Sequence, residues 1–134
     1  MAGEPLAVLS CRIPATEAGL AELGPWVDTL CARFRLAAES EYALRLCLEE
    51  VVANIVMHAG AAGTPIALCV RLEPGSMTAR IEDEGAPFDP TRAQPPDILP
   101  KEGGRGLGLL QCYARAITYR RDAGRNCLTL TLAR

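Results

Sequence analysis

Aromatic residues are scarce in this sequence: one tryptophan, three tyrosines and two phenylalanines in 134 positions. Proteins that hold single-stranded nucleic acid stack bases on such rings, and little is available here for that purpose. Cationic charge is not in excess either. Fourteen Lys and Arg against sixteen Asp and Glu give a net charge of −2, which leaves no broad basic surface for direct nucleic-acid or acidic-lipid binding. No apolar run approaches the roughly 18 residues of a membrane span. The opening MAGEPLAVLS lacks the basic segment and the long apolar segment of a signal peptide. A Cys-x-x-Cys pair is also missing. Cys11, Cys31, Cys47, Cys69, Cys112 and Cys127 are scattered, mostly within apolar runs, and read as small hydrophobes in a reducing compartment rather than as disulfides or zinc ligands. The expectation is a soluble, cytoplasmic protein with no membrane contact.

What is present suits one globular domain. The chain is 49% hydrophobic and 22% charged, and its length allows a single core over residues 1–134. Leu9, Cys11 and Ile13 alternate with more polar positions in a first strand from Leu6 to Ile13. From Thr16 to Leu36, Leu20, Leu23, Val27, Leu30, Cys31 and Phe34 recur at helical spacing, with Pro25 as a point of break or kink. Ser40 suits the cap of a second helix and Glu41 its first turn. That helix runs to about His58 and ends near Gly60 and Gly63.

The second helix carries the anomaly of the chain. In Leu48 to Ala59, LEEVVANIVMHA, Glu50 and Asn54 lie one turn apart among Ala43, Leu46, Cys47, Val51 and Met57. Polar groups on an apolar face either find a partner within the fold or open onto a ligand. Glu49 points elsewhere, into the narrow solvated sector it shares with Glu41 and Arg45.

Two strands follow, Ile66 to Leu72 and Met77 to Asp83, joined by a Pro-Gly turn at 74 and 75. Met77, Ala79 and Ile81 share a face and Asp83 continues it, so a carboxylate is aimed at the core; a one-residue slip would send it outward. Residues 84–106, rich in proline and glycine, read as a lid or insert. The cluster Gly103, Gly104, Gly106 and Gly108 then precedes a helix with Leu107, Leu110, Ala114 and Ile117 on one face. Glycines there let phosphates approach the backbone, and the helix N-terminus offers N–H groups and positive dipole. No strand precedes them and no Gly-Lys-Ser/Thr occurs, so neither the dinucleotide fingerprint nor the P-loop applies. Arg105 either adds charge to the same phosphates or is simply solvated. A closing hairpin, with a strand around Ile117 to Arg120, a turn at 122–126 and alternating Leu128, Leu130 and Leu132, completes an α/β sandwich of strands in one layer and three helices in the other.

Glu50-x-x-x-Asn54, Asp83-x-Gly85 and Gly104-x-Gly106-x-Gly108, in that order, resemble the N, G1 and G2 boxes of the GHKL ATPases. DEGAPFDP is similar to the anti-sigma-factor serine/threonine kinases of the RsbW/SpoIIAB type, and the resemblance covers nearly the whole chain. It implies the Bergerat-type fold, a mixed, mostly antiparallel sheet covered on one face by about three helices, as a single histidine-kinase-like ATPase domain over 1–134 with an ATP lid at about 86–106. It also implies ATP and Mg²⁺ as cofactors. Asn54 then becomes the metal ligand, Asp83 the acceptor of the adenine amino group, and Gly85 the point where the base approaches the backbone. Gly104, Arg105, Gly106, Leu107 and Gly108 hold the phosphates, and Glu50 is the general base. Asn126 and Thr129 line the adenine side, and His58 serves at the helix end.

The partners implied are a STAS-domain anti-anti-sigma factor as substrate, a sigma factor held inactive in the alternative state, and a second copy in a homodimer. Two other readings stay open, a switch kinase that activates a phosphatase and a non-catalytic nucleotide-gated binding module.

Overall fold

The computed structural model describes residues 5–58, 62–91 and 106–134, with the side chains of Gly106 and Leu107 excepted. Among these residues five strands and three helices follow one another as β1 (Ala7–Pro14), α1 (Glu17–Phe34), α2 (Ala38–His58), β2 (Pro65–Glu73), β3 (Ser76–Asp83), α3 (Gly106–Tyr113), β4 (Ala116–Asp122) and β5 (Arg125–Ala133). The strands form one sheet in the order β1-β2-β3-β5-β4. Every pairing among the described residues is antiparallel, so the mostly antiparallel sheet expected is observed without the parallel pair that would make it mixed. The reason is the last hairpin, which inserts β5 between β3 and β4 and so keeps the two parallel strands apart.

Period-two patterning sets which face is covered. Ile66, Leu68, Val70 and Leu72 of β2, Met77, Ala79 and Ile81 of β3, and Leu128, Leu130 and Leu132 of β5 are all buried, and they form one core with α1 and α2. The alternate positions carry polar side chains such as Arg71, Thr78, Arg80 and Thr131 on the open face.

Helix α1 starts where the Thr16 hydroxyl accepts the Gly19 N–H at 3.0 Å, and it ends on Arg35, whose left-handed conformation lets its N–H reach Ala32 O. The helix continues through Pro25, so of the break or kink considered there the break does not occur. Helix α2 begins at Ala38 rather than at Ser40, because the Glu41 N–H is already bonded to Ala37 O. Ser40 is buried inside the first turn, and the residues that open this helix have no capping side chain to mark it. Arg45 ties α2 to α1 through Asp28 at 2.7 Å and also reaches Glu41 at 3.4 Å.

Helix α3 stops at Tyr113. Ala114 and Ile117, expected on its apolar face, lie in the following link and in β4. One short apolar stretch satisfied both periods, and strand pairing with β5 decided between them. The turn between β4 and β5 is the two-residue Ala123–Gly124, both at positive φ (50° and 79°), which places Asn126 in the strand rather than in the turn.

Candidate active site

The site begins as a polar row across one end of the sheet. Asp83 pairs with Asn126 in the β3–β5 register, and Asn126 pairs with Arg121 in the β4–β5 register. The three continue the inward-facing rows of Ile81, Leu128 and Tyr119, so they lie on the helix-covered face. Asp83 and Asn126 are each only 6% exposed. The expected direction of Asp83 is therefore observed, and the physical cause is the β2–β3 register, which holds Met77, Ala79 and Ile81 inward with it.

Asp83 is held tightly. Its Oδ1 accepts the Gly85 N–H at 2.8 Å and an Asn126 Nδ2 hydrogen at 3.1 Å, while Oδ2 takes no hydrogen bond among the described residues. Asn126 Nδ2 also donates to Ala86 O at 2.9 Å, and Asn126 Oδ1 accepts the Phe88 N–H at 3.2 Å and the Tyr119 hydroxyl. Arg121 Nη1 donates to Gly85 O at 2.7 Å. The turn after β3 is thus fastened to the last hairpin, and Gly85 is buried beneath it. Thr129 belongs to the other face. It pairs with Arg80 and Thr118 in register, an odd position beside inward Leu128 and Leu130, and so it does not share a face with Asp83 as expected.

Helix α2 leads toward the same end of the sheet. Its last residue, His58, is joined to the start of β2 at Pro65 by a short connection, and β2 begins opposite the end of β3, with Ala67 against Glu82. Asn54 is half-buried, and its Oδ1 is sealed from solvent without a hydrogen-bond partner among the described residues. Leaving such a carbonyl unmade costs about 1–3 kcal/mol. Glu50, one turn earlier, is half-buried and has no ion pair or hydrogen bond among the described residues, whereas Glu49 is exposed. Of the apolar neighbours expected around the pair, Cys47 and Val51 are buried, but Met57 is 55% exposed. The apolar face narrows before the helix ends.

Helix α3 packs on α2. Leu110 is buried, and Tyr113 meets Tyr42 edge-on with ring centroids 6.0 Å apart. The first N–H groups of α3 have no intrahelical acceptor, and its first turn holds no acidic residue to occupy them. Gly106, Leu107 and Gly108 lie in this turn. Gly108 is exposed, and a side chain there would meet nothing within 4 Å. Gly104 and Arg105 lie outside the described residues, as does most of the lid expected at 86–106.

Among the described residues these elements offer a buried carboxylate at the end of β3, an amide oxygen on α2 without a hydrogen-bond partner and the N-terminus of α3. The profile of the histidine kinase-like ATPase domain matches residues 13–132. This chain belongs to the histidine kinase-like ATPase family. Among relatives of this domain, the serine/threonine-protein kinase BtrW of Bordetella bronchiseptica is 36% identical over 113 residues, which is 79% of this chain and 80% of that protein. The RsbU and RsbW domains of a Mycobacterium tuberculosis protein share the fold, with a TM-score of 0.59 at 18% identity. That alignment covers 96% of this chain, which spans only 32% of the solved one. The histidine kinase domain of a blue-light activated histidine kinase from Erythrobacter litoralis gives a TM-score of 0.54 at 18% identity, over 90% of this chain and 61% of that one. The Bergerat-type α/β sandwich is thus the fold of this ATPase domain. No described helix is long and apolar enough to cross a membrane.

Sequence reasoning gave Asn126 only a place beside adenine and missed Tyr119 and Arg121 altogether. Their roles depend on bonds spanning 7, 36 and 43 positions, which no local spacing displays.

Proposed function

We propose that this chain is an ATP- and Mg²⁺-dependent protein serine/threonine kinase of a partner-switching system, its substrate a serine in a STAS-domain anti-anti-sigma protein. The observation that carries the reading is the buried Oδ1 of Asn54, which has no partner among the described residues. A hard amide oxygen kept dry without a partner suits Mg²⁺, which is held by few protein oxygens together with substrate phosphates. Bound there, the ion would neutralise charge on the transferring phosphoryl group.

The chain's own residues do the rest. Asp83 Oδ2 accepts a hydrogen from the adenine amino group while Gly85 lets the base lie against the backbone. The N–H groups at the start of α3, with Gly104, Arg105, Gly106, Leu107 and Gly108, hold the phosphates, and residues 86–106 form the lid. Glu50 accepts the proton of the attacking serine hydroxyl. Phosphoryl transfer asks mainly for such positioning and for a carboxylate to orient the nucleophile. The kinase BtrW, similar over most of the chain, supports the reaction class. In the partner-switching reading the protein is a cytoplasmic homodimer that holds a sigma factor when it is not engaged with the STAS protein.

The test is incubation with γ-labelled ATP, Mg²⁺ and purified STAS proteins encoded nearby. Label that appears on one serine and vanishes when that serine is changed to alanine is the expected result. Tight ATP binding with no transfer to any of them would replace the kinase with a nucleotide-gated binding module.

A further inference from the structure

An asparagine amide has four hydrogen-bonding valences, two lone pairs on Oδ1 and two hydrogens on Nδ2. In Asn126 all four are used, by Phe88 N–H and the Tyr119 hydroxyl on one side and by Ala86 O and Asp83 Oδ1 on the other. Chemistry fixes the orientation of the amide. A backbone N–H can only donate and a carbonyl only accept, so Phe88 and Ala86 together exclude the flipped form. The remaining Nδ2 hydrogen is then committed to Asp83. Since Asp83 Oδ1 also accepts the Gly85 N–H, both of its lone pairs are occupied and the carboxyl group cannot turn without losing bonds. Oδ2, which takes no hydrogen bond among the described residues, is left to a ligand.

We infer that Asn126 is a positioning residue for purine selection. This deepens the nucleotide reading above and rests on it. By locking Asp83, Asn126 presents Oδ2 at one fixed point as a hydrogen-bond acceptor. An exocyclic amino group is accepted there, whereas the 6-oxo group of inosine or guanine meets oxygen with oxygen and is rejected. Asn126 has no valence left for the base and acts only through Asp83. A clasp that merely stabilised the turn at residues 85–88 would weaken all purine triphosphates alike; a positioning residue changes the preference between them.

The experiment measures, on the full chain with Mg²⁺, the affinities for ATP and inosine triphosphate by titration calorimetry, with thermal melting to register folding. Wild type is compared with Asn126→Asp, which keeps both acceptor bonds but loses the donors to Asp83 and Ala86, and with Asn126→Ser, which adds no charge. The expected result is a fall of at least about tenfold in ATP affinity against about twofold or less for inosine triphosphate, so that the wild-type preference collapses. The serine variant carries the test if the aspartate variant does not fold. Equal losses for both nucleotides in a folded variant, with the preference intact, would overturn the positioning role and leave the nucleotide reading standing. Wild type that binds neither nucleotide would overturn both.

Discussion

Asp83 and Asn126 sit directly opposite one another on neighbouring strands, and Asn126 Nδ2 donates to Asp83 Oδ1 at 3.1 Å inside the protein. Asn126 also bonds the turn after β3, so the energetic cost of losing it is measurable. Asn126→Ala removes four hydrogen bonds and leaves buried partners unmatched, so it should destabilise the fold by about 2–3 kcal/mol. Urea denaturation followed by far-ultraviolet circular dichroism measures this; a loss below about 0.5 kcal/mol would mean that water replaces the amide at little cost.

Asn54 should behave in the opposite way. Its Oδ1 is buried and unmatched among the described residues, so Asn54→Leu, close in size, ought to raise the stability of the nucleotide-free protein by about 1 kcal/mol. The same change should abolish Mg²⁺-dependent ATP binding. Stability and binding moving in opposite directions is the signature of a residue retained for its ligand. A variant that loses stability and keeps Mg²⁺-dependent binding would remove Asn54 from the site.

Two glycines in helices make a controlled contrast. A Cβ on Gly19 would lie 1.8 Å from Pro14 O, where backbone must move, so Gly19→Ala should cost about 3 kcal/mol. Gly108 faces open space within α3, and Gly108→Ala should stabilise the free protein by about 0.5–1 kcal/mol through reduced chain entropy. If a nucleotide phosphate approaches that backbone, the methyl group should also lower ATP affinity by about tenfold or more. Unchanged affinity would place the phosphates elsewhere.

Burial governs the thiols. It pushes Cys11, Cys31 and Cys47 each up to about 11, with nearby acidic groups adding to the effect at Cys11 and Cys31. Only the thiolate is alkylated, so at pH 8 these three should react slowly with iodoacetamide while the exposed Cys112 reacts first. Mass spectrometry of timed samples reads the order. The sign for stability follows from proton linkage. The folded state holds these protons more tightly than the unfolded chain, so their contribution is intact below about pH 9 and is lost as pH rises toward 11. Cys47 modified as fast as Cys112 would contradict the burial of α2 against the sheet.

Much of the architecture was legible because it rests on local periodicity. The alternation of Met77, Ala79 and Ile81 carried Asp83 inward, and the 3.6-residue spacing in α2 separated Glu50 from Glu49. Errors arose where a local signal was missing or doubled. The start of α2 has only alanines where a capping side chain would stand, and Ser40, one turn late, looked like the cap. The stretch from Leu107 to Ile117 fits both a helix and a strand, and tertiary pairing with β5 split it. The mixed, mostly antiparallel sheet implied by the family resemblance is antiparallel throughout the described residues, and nothing local in the sequence reports that β5 inserts between β3 and β4. That insertion also brings Asn126 to Asp83, 43 residues away in sequence, and so the clasp around the turn after β3 was out of reach of any motif.

Glu50 gives the most direct test of the proposed kinase. Wild type and Glu50→Ala are compared for Mg²⁺-dependent ATP affinity and for single-turnover transfer of labelled phosphate to the serine of the STAS protein. If Glu50 is the base, ATP affinity should stay within about threefold while transfer falls by about 100-fold or more. Full transfer by the Glu50 variant would contradict its role as base, and tight ATP binding without transfer in wild type would contradict the kinase itself.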